Sequence, residues 1–208
     1  MSRAIGKTHW KRFTLVLLSG LTATGLLSVG MAQQVLAAAF LISNQKAKLS
    51  TDLLIAHGVA HYGMVDVAWN GDRVPVAVVS FRHATFHNLC QSSVIPLGVL
   101  GNYTLKVTAG RGAHPVTAEN IVTDSLYVKT DNTTYRDFEA GIAAGAVTKG
   151  IIRPSDARSP YFDPGSSAQQ EDTLIQRNAQ VIAVATSADN FDLPGWKLTL
   201  KRNGPECF

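Results

Sequence analysis

Alternation of apolar and polar residues recurs along the chain and predicts strands. Tyr103 to Thr108 (YTLKVT) alternates as a strand with one buried face does. Trp196 to Lys201 (WKLTLK) repeats the pattern close to the C-terminus, and Val122, Leu126 and Val128 are spaced to share one face of a further strand. Two stretches are continuously apolar, Val74 to Phe81 (VPVAVVSF) and Val181 to Ala185 (VIAVA). They predict central strands covered on both faces. Asn70-Gly71, between VDVAW and RVPVAVV, predicts a hairpin, because both central positions of the favoured two-residue turn take positive φ. No segment holds a 3.6-residue period with caps at both ends. The glycines of Ala140 to Gly150 (AGIAAGAVTKG) predict a loop or tight bend. Arg153 to Asp172, with three prolines among serines and acids, predicts a long surface loop. The fold class that follows is all-β, a single β-sandwich or jelly-roll-like domain.

The N-terminus departs from this pattern. Arg3, Lys7, Lys11 and Arg12 precede an apolar run, Phe13 to Met31, which is followed by AQQVLAAAF. Basic, apolar and small-residue regions in that order are the layout of a secretory leader. Val35 and Ala37 suit the pocket of a signal peptidase, so cleavage is expected after Ala37, with Ala39 as the alternative site. A retained membrane anchor is the other reading, since about twenty apolar residues can span a bilayer. Residues 1–37 are thus a signal peptide or anchor, and 38–208 a single β-rich domain that is secreted or attached to the cell envelope.

This division changes the charge argument. Of 19 lysines and arginines the leader holds four and none of the 15 acids, so the remainder carries 15 of each. The basic balance belongs to the targeting segment and does not indicate a nucleic-acid partner. Export also bears on the two cysteines, Cys90 and Cys207. In an oxidising compartment two cysteines pair, and a bridge between them encloses more than a hundred residues and fastens the C-terminal strand.

Candidate chemistry is sparse. His57 and His61 are four apart, as are His83 and His87, a zinc spacing on a helix. On a strand four residues span about 13 Å, which leaves only cross-strand pairs as ligands, and no glutamate follows His57 or His83. No metal and no cofactor are expected. G-x-S-x-G is absent, as is the lysine-serine end of a phosphate loop near Gly141, Gly145 and Gly150. Asp66, Asp72, Asp124, Asp131 and Asp137 lack calcium-loop spacing. Trp69, Phe81, Phe86, Tyr103 and Trp196 read as core aromatics.

Six further pieces carry a resemblance. They are WKRF opening the leader, GMAQ…LAA at its end, NLCQS around Cys90, PLGVLGNYTLK after it, GIAAG, and the terminal GPECF. In these the chain resembles a family of exported actinobacterial proteins without an established function. The resemblance implies an envelope or secreted role and a small multi-pass membrane protein as neighbour. Some members bear the label cholesterol esterase. It brings no catalytic residues, and transfers only the positions Cys90 and Cys207. The expected function is a non-enzymatic exported β-domain that binds an apolar or envelope lipid ligand or serves a structural role. A lipid or sterol ester hydrolase is one alternative, and a membrane-tethered partner of a multi-pass protein is the other.

Overall fold

The computed structural model describes residues 46–68 and 70–208; the expected leader, its cleavage sites and Trp69 lie outside the described residues. Ten strands follow in order: β1 (Ala47–Val67), β2 (Arg73–His87), β3 (Leu89–Pro96), β4 (Asn102–Ala109), β5 (Val116–Lys129), β6 (Asn132–Arg136), β7 (Glu139–Ala143), β8 (Ser167–Ser187), β9 (Asn190–Asp192) and β10 (Lys197–Arg202). The fold is all-β. Every pairing is antiparallel and all ten strands belong to one sheet.

That sheet closes on itself. β1 pairs β2, β2 pairs β5, β5 pairs β8, and β8 returns to β1. The facing walls of the ring give a sandwich-like core without a second sheet. β1 and β8, of 21 residues each, are its longest strands. β8 is covered along its other edge by β5, β6 and β7 in succession. Beyond β1 the sheet continues as a wing, β3, β4 and then β10.

The sheet has two apolar clusters because its strands change phase. Gly58, Arg82 and Asn120 stand opposite one another in β1, β2 and β5, and Gly58 and Asn120 take φ of 63° and 47°. A left-handed residue reverses which way the next side chain points, and glycine and asparagine tolerate it best. In β1, Leu54 and Ala56 lie in the first cluster, and so does Val59, one place out of step. Val116, Ala118 and Ile121 repeat the shift in β5. Past it, the even residues Tyr62, Met64, Val76 and Val78 form the second cluster on the opposite face. The continuously apolar stretch in β2 is therefore covered on both faces only near Val79 to Phe81. Val76 and Val78 are buried in the second cluster, while Pro75 and Ala77 on the other face are exposed, which corrects the expectation of a strand covered throughout.

Three further expectations are corrected. Arg153 to Asp172 is not a free surface loop, because Ile151, Ile152, Tyr161 and Phe162 pack on the second cluster and 167–172 belong to β8. Val122 and Val128 do not share a face: register shifts at Asp124 to Tyr127 put Val122 in the second cluster and Val128 at an interior cavity. The β1–β2 hairpin turns through 68–72 rather than two residues, with only Gly71 at positive φ among the described turn residues.

The covering segment is held tightly. Arg82 donates from Nε to the Lys149 carbonyl (2.6 Å) and from Nη2 to that of Gly150 (3.0 Å). A Cβ at Gly150 would lie 2.4 Å from both the backbone nitrogen and the Cβ of Ala60. Gly150→Ala is therefore expected to cost about 2–3 kcal/mol, the upper range for overpacking. Urea unfolding of the variant beside Gly145→Ala, whose nearest obstacle is the Pro164 ring, checks this; equal stability of Gly150→Ala and wild type would refute it.

The C-terminal tail crosses the polar face of the wing. Thr104 Oγ1 donates to the Gly204 carbonyl (2.8 Å), Lys106 Nζ to that of Glu206 (3.0 Å) and Lys48 Nζ to that of Phe208 (2.9 Å). The Cys207 amide donates to Ser92 Oγ (3.0 Å), and the Cys90 and Cys207 sulfurs lie at disulfide distance, 2.05 Å.

Candidate functional site

Inside the ring lies a cavity of about 380 Å³. Leu54, Val79, Phe81, Phe86, Ile121 and Leu174, from β1, β2, β5 and β8, make an apolar wall. It opens to solvent where Ala77, Val128 and Tyr135, all exposed, line it. The apolar wall continues outward. Leu49, Gln91, Val107 and Leu198 form one cross-strand row over β1, β3, β4 and β10, and directly paired residues share a face. Leu198 and Leu200 are exposed on it, so the wing extends the cavity as an apolar ledge.

Eleven of the 24 lining residues are polar, most of them threonines and serines, and His61 is the one histidine among them. His61 lines the cavity, and its Nε2 lies 2.8 Å from Oε1 of Glu171, which is completely buried. The second oxygen, Glu171 Oε2, has no hydrogen-bond partner among the described residues, nor has the Oγ of buried Ser125 on the cavity wall. Burial, then the charge of Glu171, push the Tyr135 hydroxyl above its usual pKa at the same cavity. A buried carboxylate oxygen and a buried hydroxyl without partners are costly. Of the two residues Ser125 lines the cavity, where a ligand could satisfy its hydroxyl, whereas Glu171 meets the lining only through His61.

The other histidines go elsewhere. His57 stands opposite His83 in the β1–β2 register, both rings exposed, and His57 Nδ1 lies 3.2 Å from Thr173 Oγ1. Among the described residues no three His, Cys, Asp or Glu side chains converge as a metal site needs. His61 hydrogen-bonds to Glu171 and, among the described residues, to no serine.

A second polar cluster sits across the sheet. Arg153 donates from Nη2 to Asp124 (2.8 Å) and from Nε to Asp156 (2.8 Å), and the Tyr62 hydroxyl donates to Asp156 (2.7 Å). Burial holds Asp124 above the usual carboxylate range despite Arg153. Half-buried Asp66 beside it is raised from 3.8 to about 6, by burial first and then by the charge of Asp124. The cluster fastens the covering segment to β1 and β5. A carboxyl whose folded pKa exceeds its unfolded value keeps its proton longer when folded. The native state is therefore favoured as pH falls through about 6 toward 4, and penalised above. Asp66→Asn should stabilise the protein at pH 8 by about 1 kcal/mol, a figure reduced for solvent screening. At pH 4 it should change little. Thermal melts at both pH values check this, and an equal effect at both would count against it.

The whole described domain has a recognised sequence type, since residues 43–208 match a family of unknown function, DUF6230. The chain belongs to that family. No curated protein and no solved structure matches it. Family membership thus supplies no residue roles, and the cavity geometry is what bears on function. His61 was visible in the sequence as half of a histidine pair. Glu171 was not, because it lies 110 residues away in a stretch that reads as loop.

Proposed function

We propose that this member of DUF6230 is an exported β-domain, cleaved after Ala37, that binds an elongated apolar ligand with a hydrogen-bonding end. The observation that supports this reading is the cavity, whose lining carries the unpartnered Ser125 Oγ and His61, the latter held by buried Glu171. A volume of about 380 Å³ falls within the range of small-molecule sites. A disulfide, and the absence among the described residues of a helix long and apolar enough to cross a membrane, are compatible with work outside the cytoplasm.

Mass spectrometry of organic extracts from protein purified from its own host tests the reading. It expects an apolar compound bearing a hydroxyl or similar group, bound near one per chain. Ala77→Trp, at the exposed mouth, should cut its occupancy about tenfold while leaving the fold intact. Empty extracts, together with no binding of a fluorescent fatty acid, would overturn the proposal. Hydrolysis of a lipid ester that is lost in His61→Ala would favour the ester hydrolase reading instead.

A further inference from the structure

The wing has a property the cavity does not need. Leu97, Val99 and Leu100 form the turn between β3 and β4, and Val99 is fully exposed. Gly98 and Gly101, at φ of 56° and 82°, shape this turn, so its three large side chains are apolar and turned outward. Beside it stands Arg202, whose guanidinium Nε would be 3.4 Å from a Cβ at Gly101.

Behind the tip, on the tail side of β4 and β10, runs a groove of about 200 Å³. Four cations line it, Lys106, Arg111, Lys197 and Lys201, with three threonines and no carboxylate. Lys106 Nζ is engaged by the Glu206 carbonyl. Among the described residues, Arg111, Lys197 and Lys201 make no ion pair. Glu206, the acid of the tail, is paired to Lys48 at 3.2 Å. Outside the leader, positive and negative residues are equal in number. This concentration of positive charge is therefore local, and its cost in mutual repulsion goes uncompensated within the protein.

We infer that the β4–β10 wing docks onto an anionic lipid surface, with Leu97, Val99 and Leu100 entering the acyl boundary and the groove cations taking phosphate headgroups. An apolar turn with Val99 fully exposed and Leu97 and Leu100 about half exposed suits a fluid phase rather than a shaped protein partner. The groove cations run along β4 and β10, from Lys201 opposite Thr104 near the turn to Lys197 opposite Thr108 at the far end. The wing therefore lies along the surface with its tip dipping in, and each basic residue strengthens adsorption. Leu198 and Leu200 on the opposite face belong to the cavity ledge and are not required for this contact.

Co-sedimentation of the protein recovered from its host, with vesicles of phosphatidylcholine alone or with phosphatidylglycerol added, tests the inference. Binding is expected with the anionic vesicles and should fall steeply with salt. Lys197→Gln with Lys201→Gln should weaken it about thirtyfold, and Val99→Ser about tenfold. All three positions are exposed, and unchanged circular dichroism confirms that the variants fold. Equal binding to both vesicle types, or variants that bind like wild type, would overturn the inference. So would inorganic phosphate that shields Lys197 and Lys201 from acetylation while no vesicle binds, because that marks a small-anion site. Failure here leaves the cavity proposal standing, since Ala77 and His61 are untouched.

Discussion

Reduction of the Cys90–Cys207 bridge is expected to lower the unfolding free energy by about 5 kcal/mol. The two residues are 117 apart, and closing a loop of that length restricts the unfolded chain by about that amount in the entropy model. For a domain of ordinary stability, about 5–15 kcal/mol in total, this is a large share. The tail's hydrogen bonds to Thr104, Lys106, Ser92 and Lys48 remain available after reduction. The native arrangement of β10 should therefore persist at low denaturant while the midpoint falls. Urea titrations of wild type, with and without reductant, and of Cys90→Ser with Cys207→Ser, measure the loss. The double variant should match reduced wild type and ignore reductant. A midpoint unchanged by reductant would show that the bridge does not form in the purified protein.

Replacing Arg153 by methionine should be almost as damaging, by about 3–5 kcal/mol at neutral pH. Arg153 is the cation between Asp124 and Asp156, whose side chains are 1% and 5% exposed. Removing it leaves two buried carboxylates facing each other and Asp66, and breaking a buried pair from one side costs about this much. The deficit should shrink as pH falls toward 4, because Asp124 and Asp66 already hold their protons more tightly than usual and would do so further without the cation. Adding Asp124→Asn to Arg153→Met should restore part of the stability, which a double-mutant cycle reads directly. If the single variant unfolds at the wild-type midpoint at both pH values, the cluster does not fasten the covering segment.

The same two features divide what was readable in the chain from what was not. Period-two alternation in YTLKVT and WKLTLK located the wing strands β4 and β10 to within a residue, because side chains alternate between the two faces of a strand. Which face is covered was not legible, since the tail lies over the polar one and leaves Leu198 and Leu200 exposed. VPVAVVSF declared itself as a strand, but Pro75 and Ala77 on one face remain exposed, so its apolar run overstated how far it is covered. Alternation failed where the chain turns left-handed inside a strand, at Gly58 and Asn120. There the code slips by one residue, and a single strand serves two cores. The Arg153 to Asp172 stretch looked like solvated loop because its prolines and charges are local signals, while the buried Asp124 that holds it lies 29 residues earlier.

The sequence by itself determined the all-β class, the central strands and the two cysteine positions, since each rests on residue type or short-range spacing. Only the tertiary structure decided that one sheet closes through β1 and β8, that a cavity remains inside, and that His61 meets Glu171 there. Those depend on which distant strands pair and in what register. That choice is set by packing of the whole chain, which no local window of residues contains.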